Sequence, residues 1–212
     1  MTQTMHDTAT ASADDSLLPA CARMVRATRQ SRAMTFGLVL SFVLLVTLAA
    51  QVRVPVPGTE VPMTLQLLGV LLSGLLLSPN QSAAALSAYL ILGTAGLPVF
   101  SPGSSGLWGP TGGYLVGFIP AAWIMGVVRG RGNTDVWRLF VAGAVGVVAL
   151  FVCGIGWRIA WLAGDWRLAL QTGLFPFVLK AMLELCLAVA LVVSIGCWQG
   201  RRASTNVSEC VG

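Results

Sequence analysis

The sequence predicts an all-α integral membrane bundle of about six transmembrane helices behind a disordered N-terminal tail. Three observations predict it. Hydrophobic residues make up 56% of the 212 residues and charged residues only 10%, with a mean hydropathy of +0.80. A soluble fold of this size needs a charged surface that this chain does not supply. The apolar residues gather into six runs, and the arginines cluster beside those runs.

The elements follow in order. Residues 1–33 are rich in Thr, Ala, Ser and Asp without an apolar period, and read as a disordered cytoplasmic tail. The membrane domain is expected over 34–200. Its first run, Met34–Ala50, follows Arg23, Arg26, Arg29 and Arg32. A cleavable signal peptide competes here, because Leu48-Ala49-Ala50 offers small residues; the long tail and the length of the run favour a retained helix. Further runs lie at about Met63–Leu77, Ala83–Leu97, Gly113–Val128, Leu139–Ala160 and Leu174–Trp198. The second and third are short against the ~20 residues that a span needs. Ser78-Pro79-Asn80-Gln81-Ser82 between them reads as a tight turn joining two short helices. Residues 201–212 are expected as a cytoplasmic C-terminal tail.

Arginine placement gives an orientation. With the amino terminus inside, the turn at 78–82, the loop at 129–138 and the carboxyl tail are cytoplasmic, and the loops around 52–61, 99–112 and 161–173 are outside. Arg129, Arg131, Arg138, Arg201 and Arg202 then join the four N-terminal arginines inside, against Arg53, Arg158 and Arg167 outside. That bias follows the positive-inside rule and puts both termini in the cytoplasm of a cell whose inner membrane the chain crosses.

Several function classes drop out. The net charge of +5 is split into short juxtamembrane clusters without a basic, aromatic-lined groove, which excludes nucleic acid as a partner. The five cysteines form no C-x-x-C, and His6, in the tail, is the only histidine. No metal site, cofactor motif or catalytic set is expected. An intramembrane enzyme would need a nucleophile with its base, and Ser194 lies about 21 Å along the last helix from the lysine described next. A scaffold without a ligand is the other alternative.

Lys180 is the only lysine, and it sits inside the last apolar run with Glu184 four residues on, on the same helical face. A charge at mid-membrane costs about 2.5–3.5 kcal/mol on the insertion scale, so it marks a candidate site. It lies about 9–10 Å below the outer end of its span, facing a pocket open to the outside. The alternatives are a self-neutralising Lys180–Glu184 pair that fixes packing, or a lysine snorkelling to the interface. The uncharged segment from Leu97 to Tyr114 holds Gly103, Ser104, Trp108 and Tyr114; its glycines admit a ligand to the backbone and its aromatics can cover an apolar ring. A bare outer connector is the alternative reading. Gln66, in Val61-Pro62-Met63-Thr64-Leu65-Gln66, is a buried-amide candidate, either for a ligand or for an interhelical bond. Gly37/Ser41 and Gly69/Ser73 are small-x-x-x-small pairs at which helices can approach closely.

Together these segments resemble the biotin-specific substrate-binding subunit of energy-coupling-factor transporters, the BioY family. The resemblance covers about residues 34–200. It rests on the Val61–Gln66 block with Gly69, on Gly96-Leu97-Pro98-Val99-Phe100 through Gly109-Pro110-Thr111-Gly112-Gly113-Tyr114, and on the stretch before Lys180. It implies six helices, a biotin site near the outer face, and uptake either beside a transmembrane energising subunit and ATPase subunits or as a solitary carrier, alone or as a homo-oligomer. The substrate-binding residues it supports are Lys180, Gln66, Gly103, Ser104, Trp108, Tyr114, Tyr89 and Glu184. Lys180 would meet the ligand's carboxylate or another of its polar groups, and Gly37 and Ser41 would dock the energising partner. Some relatives have an Asp where this chain has Phe177, and an Asn where it has Ser104; Glu184 or Asp165 are the candidates to replace the Asp. Another small carboxylated vitamin is the alternative cargo.

Overall fold

The computed structural model describes residues 32–54, 63–130 and 135–209. The disordered tail expected over 1–33 therefore lies outside the described residues, apart from Arg32 and Ala33, as do residues 210–212. The chain forms α1 (Arg32–Gln51), β1 (Arg53–Val54), β2 (Met63–Thr64), α2 (Gln66–Leu76), α3 (Pro79–Thr94), a one-turn 3₁₀ helix (Gly106–Trp108), α4 (Gly112–Arg129), α5 (Val136–Trp161), α6 (Trp166–Gly173) and α7 (Phe175–Glu209). Each of the six apolar runs holds one of α1, α2, α3, α4, α5 and α7. Four segments are long and apolar enough to cross a membrane, Ala33–Gln51, Gly112–Arg129, Val136–Trp161 and Trp166–Trp198. The protein is a multi-pass helical membrane bundle.

Helices α2 and α3 are short, as expected, but their junction is tighter than a five-residue turn. Leu77 is extended, Pro79 occupies the first helical turn, and the backbone N–H of Ser78 donates to Gln81 Oε1 at 3.1 Å. Asn80, Gln81 and Ser82 are thus the start of α3, because a side chain satisfies the N–H that a helix start leaves open. Two other elements correct the reading of outer loops. Residues 161–173 contain α6, begun where Asp165 accepts from the N–H of Leu168 at 3.0 Å. Across the loop after α1, Arg53 pairs with Thr64 and Val54 with Met63 in an antiparallel ladder. At the far end, α7 continues past the expected limit of Trp198 to Glu209.

Small residues set the helix spacings. A Cβ on Gly113 of α4 would stand 2.1 Å from Trp157 Cβ and 2.8 Å from the Cys153 carbonyl of α5, so only glycine lets these helices meet. On Gly69 of α2 a Cβ would lie 3.1 Å from Val46 of α1, so Gly69 is where α2 receives α1. The Gly37/Ser41 pair packs differently. Nothing lies within 4 Å of a Cβ at Gly37, and Ser41 is exposed with its hydroxyl turned back to the Gly37 carbonyl at 2.8 Å. Phe36, Leu40, Leu44 and Leu48 are exposed too, leaving an outer face of α1 with no neighbour from the described residues.

Candidate ligand-binding cavity

At the end of the bundle where α3 gives way to α4, and where α5, α6 and α7 meet, a cavity of about 100 Å³ opens. Its wall is made by Thr64, Gln66 and Leu67 at the start of α2, by Phe100, Ser101, Ser104 and Thr111 of the connecting segment, and by Tyr114, Leu115 and Phe118 of α4. Leu150 and Phe151 of α5, with Phe177 and Lys180 of α7, close the far side. The surface is aromatic and aliphatic with a few polar groups, the usual make-up of a small-molecule site.

The polar groups are held in different ways. Lys180 Nζ lies 2.7 Å from Glu184 Oε2, with the lysine side chain 20% and the glutamate 5% exposed. Glu184 stands one turn further in and is not part of the wall; its Oε1 has no partner. Gln66 donates through Nε2 to Tyr89 Oη at 2.8 Å, and Tyr89 donates to the Val99 carbonyl at 3.0 Å. This chain runs from α2 through α3 to the connecting segment and fixes the amide at the cavity edge. Tyr89 is fully buried behind Gln66, as a support for the wall. The hydroxyls of Ser101 and Ser104 are buried and without a partner among the described residues, although both side chains line the cavity. Buried donors are normally bonded, and leaving one unmet costs about 1–3 kcal/mol.

The rings stand on glycines. A Cβ on Gly93 would be 2.2 Å from Phe100 Cζ, and one on Gly154 would be 2.2 Å from the Tyr114 ring. Phe100 also meets Tyr89 edge-on at a centroid distance of 5.4 Å, and Tyr114 meets Phe151 likewise at 6.3 Å. Tyr114 donates to the Gly173 carbonyl at 2.8 Å, which ties the cavity wall to the end of α6. Arg158, 3% exposed, lies beside it and donates from Nη2 to Thr172 Oγ1 at 2.7 Å.

Of the residues singled out in the sequence, Lys180, Gln66, Ser104 and Tyr114 come together in the wall, with Tyr89 and Glu184 directly behind them. Trp108 does not join them. It is 83% exposed and faces away, because the 3₁₀ turn that carries it points its side chain outward. Gly103 borders a separate depression above the cavity, and Asp165 is occupied in capping α6. Ser101, Thr111, Phe118 and Phe151 were not singled out. Ser101 opens the glycine-rich stretch and was within reach of the same argument; the two phenylalanines sit in apolar runs where nothing in the sequence says which way a ring turns.

Comparison with known proteins agrees with this architecture. The family model described as the BioY family matches residues 23–201. The biotin transporter BioY of Thermotoga maritima is 32% identical over 157 residues, covering 73% of this chain and 90% of that one. The probable biotin transporter BioY of Pyrococcus horikoshii is 33% identical over 165 residues, 76% of this chain and 94% of that one. A crystal structure of the S-component for biotin from an ECF-type ABC transporter superposes with a TM-score of 0.70 over 77% of this chain and 91% of that one, at 21% identity, which shows a shared fold. On its sequence match along most of its length, this chain belongs to the BioY family.

Proposed function

We propose that this chain binds biotin in the cavity between α2, α4, α5 and α7 and mediates its uptake, as the substrate-specific subunit of an energy-coupling-factor transporter. The observation that carries this reading is the cavity's polar inventory. An aromatic wall holds one lysine and two hydroxyls with no partner among the described residues. A ligand with an apolar body and several hydrogen-bonding groups meets those needs, and biotin is such a molecule. The site residues are Lys180, Gln66, Ser101, Ser104 and Tyr114, with Tyr89 and Glu184 positioning them.

The arginine distribution supports a cavity open to the outside, with both termini in the cytoplasm. The open face of α1 around Gly37 and Ser41 suits a transmembrane energising subunit, since small residues let a foreign helix approach closely. Purified protein should bind labelled biotin at equilibrium, and Lys180→Ala should weaken that binding by about 100-fold, the loss of a charge-assisted contact in a desolvated site. Equal affinity in both proteins, or no binding by the wild type, defeats the reading. Gly37→Leu separates the second claim: binding persists while uptake dependent on energising subunits falls.

A further inference from the structure

Near its end, α5 carries two adjacent residues that grip different neighbours. Trp157 donates through Nε1 to the Gly109 carbonyl at 3.0 Å, holding the segment that enters α4. Arg158 reaches the other way, to α6. Its Nε, at 3.1 Å, and its Nη2, at 2.7 Å, both donate to Thr172 Oγ1. Thr172 donates to the Leu168 carbonyl at 2.6 Å; with its one hydrogen so used, the hydroxyl meets the guanidinium as an acceptor. Arg158 is buried, its guanidinium bonds only to Thr172 among the described residues, and its Nη1 has no partner among them. Burying a cation without a counter-charge destabilises a fold unless another gain offsets it. An ionisable side chain held this way in an apolar bundle points to function.

What Arg158 holds in place is the support of a cavity residue. Gly173, next to Thr172, accepts from Tyr114 Oη at 2.8 Å, and Tyr114 lines the cavity. A Cβ on Gly173 would stand 2.7 Å from that hydroxyl and 2.8 Å from Arg158 Cδ. The two side chains therefore converge on one glycine, and its carbonyl is the acceptor that fixes the tyrosine. Arg158 itself is not part of the wall. Its reach into the cavity runs through Thr172, the last turn of α6 and the Tyr114 ring.

We propose that Arg158 is a positioning residue for ligand binding. By pinning the last turn of α6 it places the Gly173 carbonyl, and that carbonyl holds the Tyr114 ring in the cavity wall. The inference rests on the biotin reading above and adds to it a residue that does not touch the ligand. A loosened wall lets a bound molecule escape sooner, so the effect belongs in the dissociation rate.

The test is a double-mutant cycle on the full chain in detergent, reading equilibrium binding and dissociation of labelled biotin. Arg158→Met keeps an unbranched side chain without its donors, and should weaken binding about 5- to 10-fold through faster dissociation, the size of one lost hydrogen bond. Tyr114→Phe should weaken it by a similar factor. The double variant should stay within about twofold of either single one, because both break the same link. Thr172→Val should match Arg158→Met, while Thr172→Ser, which keeps the acceptor, should bind as wild type does. Gly173→Ala removes neither group but occupies the place where they meet, and should reproduce the loss. Where Arg158→Met fails to fold, Thr172→Val takes its place in the cycle. Losses that multiply in the double variant, or full affinity in Arg158→Met or Thr172→Val, overturn the positioning role and leave the biotin reading standing. A wild type that binds no biotin overturns both.

Discussion

The two ends of this bundle treat buried hydroxyls in opposite ways. Near the α2–α3 junction every buried hydroxyl has a partner: Ser73 donates to the Val70 carbonyl at 2.7 Å, and Ser82 reaches the carbonyls of Pro79 at 2.9 Å and Ala122 at 3.3 Å. Met125 fills the space between Gly74 and Gly146 there. At the cavity end, the hydroxyls of Ser101 and Ser104 are shielded yet have none among the described residues. Gly93 and Gly154 at that end also back the Phe100 and Tyr114 rings. Among the described residues the closed end leaves one buried donor open, Arg129 Nε beside the bond that Nη2 makes to the Leu77 carbonyl, whereas the open end leaves both serine hydroxyls open. A residue at the first contributes to folding, and one at the second to recognition.

The most severe way to break this contrast is Lys180→Met. It should abolish biotin binding and also strand Glu184, which is 5% exposed; losing one partner of a buried pair costs about 3–5 kcal/mol. Thermal unfolding in detergent should show that loss, and Lys180→Met with Glu184→Gln should recover most of the stability without recovering binding. Next comes Ser101→Ala with Ser104→Ala. Affinity should fall about tenfold while stability stays level or rises, because neither hydroxyl has a bond to lose. Ser82→Ala should do the reverse, lowering stability by about 1 kcal/mol with biotin affinity unchanged. Should the paired serine variant unfold the protein and Ser82→Ala weaken binding, the division between the ends is wrong. The smallest effect is expected at Trp108→Ala, whose side chain is 83% exposed: binding should stay within about twofold of wild type, as for most surface changes.

Much of the architecture is legible in the chain because membrane helices are long apolar runs and the arginines mark their ends. The lysine is legible for the same reason, being the one charge of its kind in an apolar stretch. Short elements are harder. Helix α6 has only eight residues, too few for a clear period, and its signal is Asp165 placed to cap Leu168. The β1–β2 pair joins residues across a loop, and no local pattern announces the partner. Tyr89 and Trp108 show the limit for aromatics. Both are aromatic residues near the same connecting segment, yet one is fully buried and the other open to solvent, an outcome set by neighbours distant in sequence.

Helix α1 contributes no side chain to the cavity wall, and a large part of its surface is exposed, with no neighbour among the described residues. Its links to the ligand chamber include Val46 packed on Gly69 of α2, Gln51 Nε2, 3.4 Å from the Pro98 carbonyl and 3.5 Å from that of Phe100, and the strand that leaves it through Arg53. A tilt of this outlying helix in the bilayer would leave α4, α5 and α7 where they are. It would tug on the segment holding Phe100 and Ser101 and, through Val46 against Gly69, on α2, so force applied at the rim of the molecule reaches the side of the chamber that these two segments build.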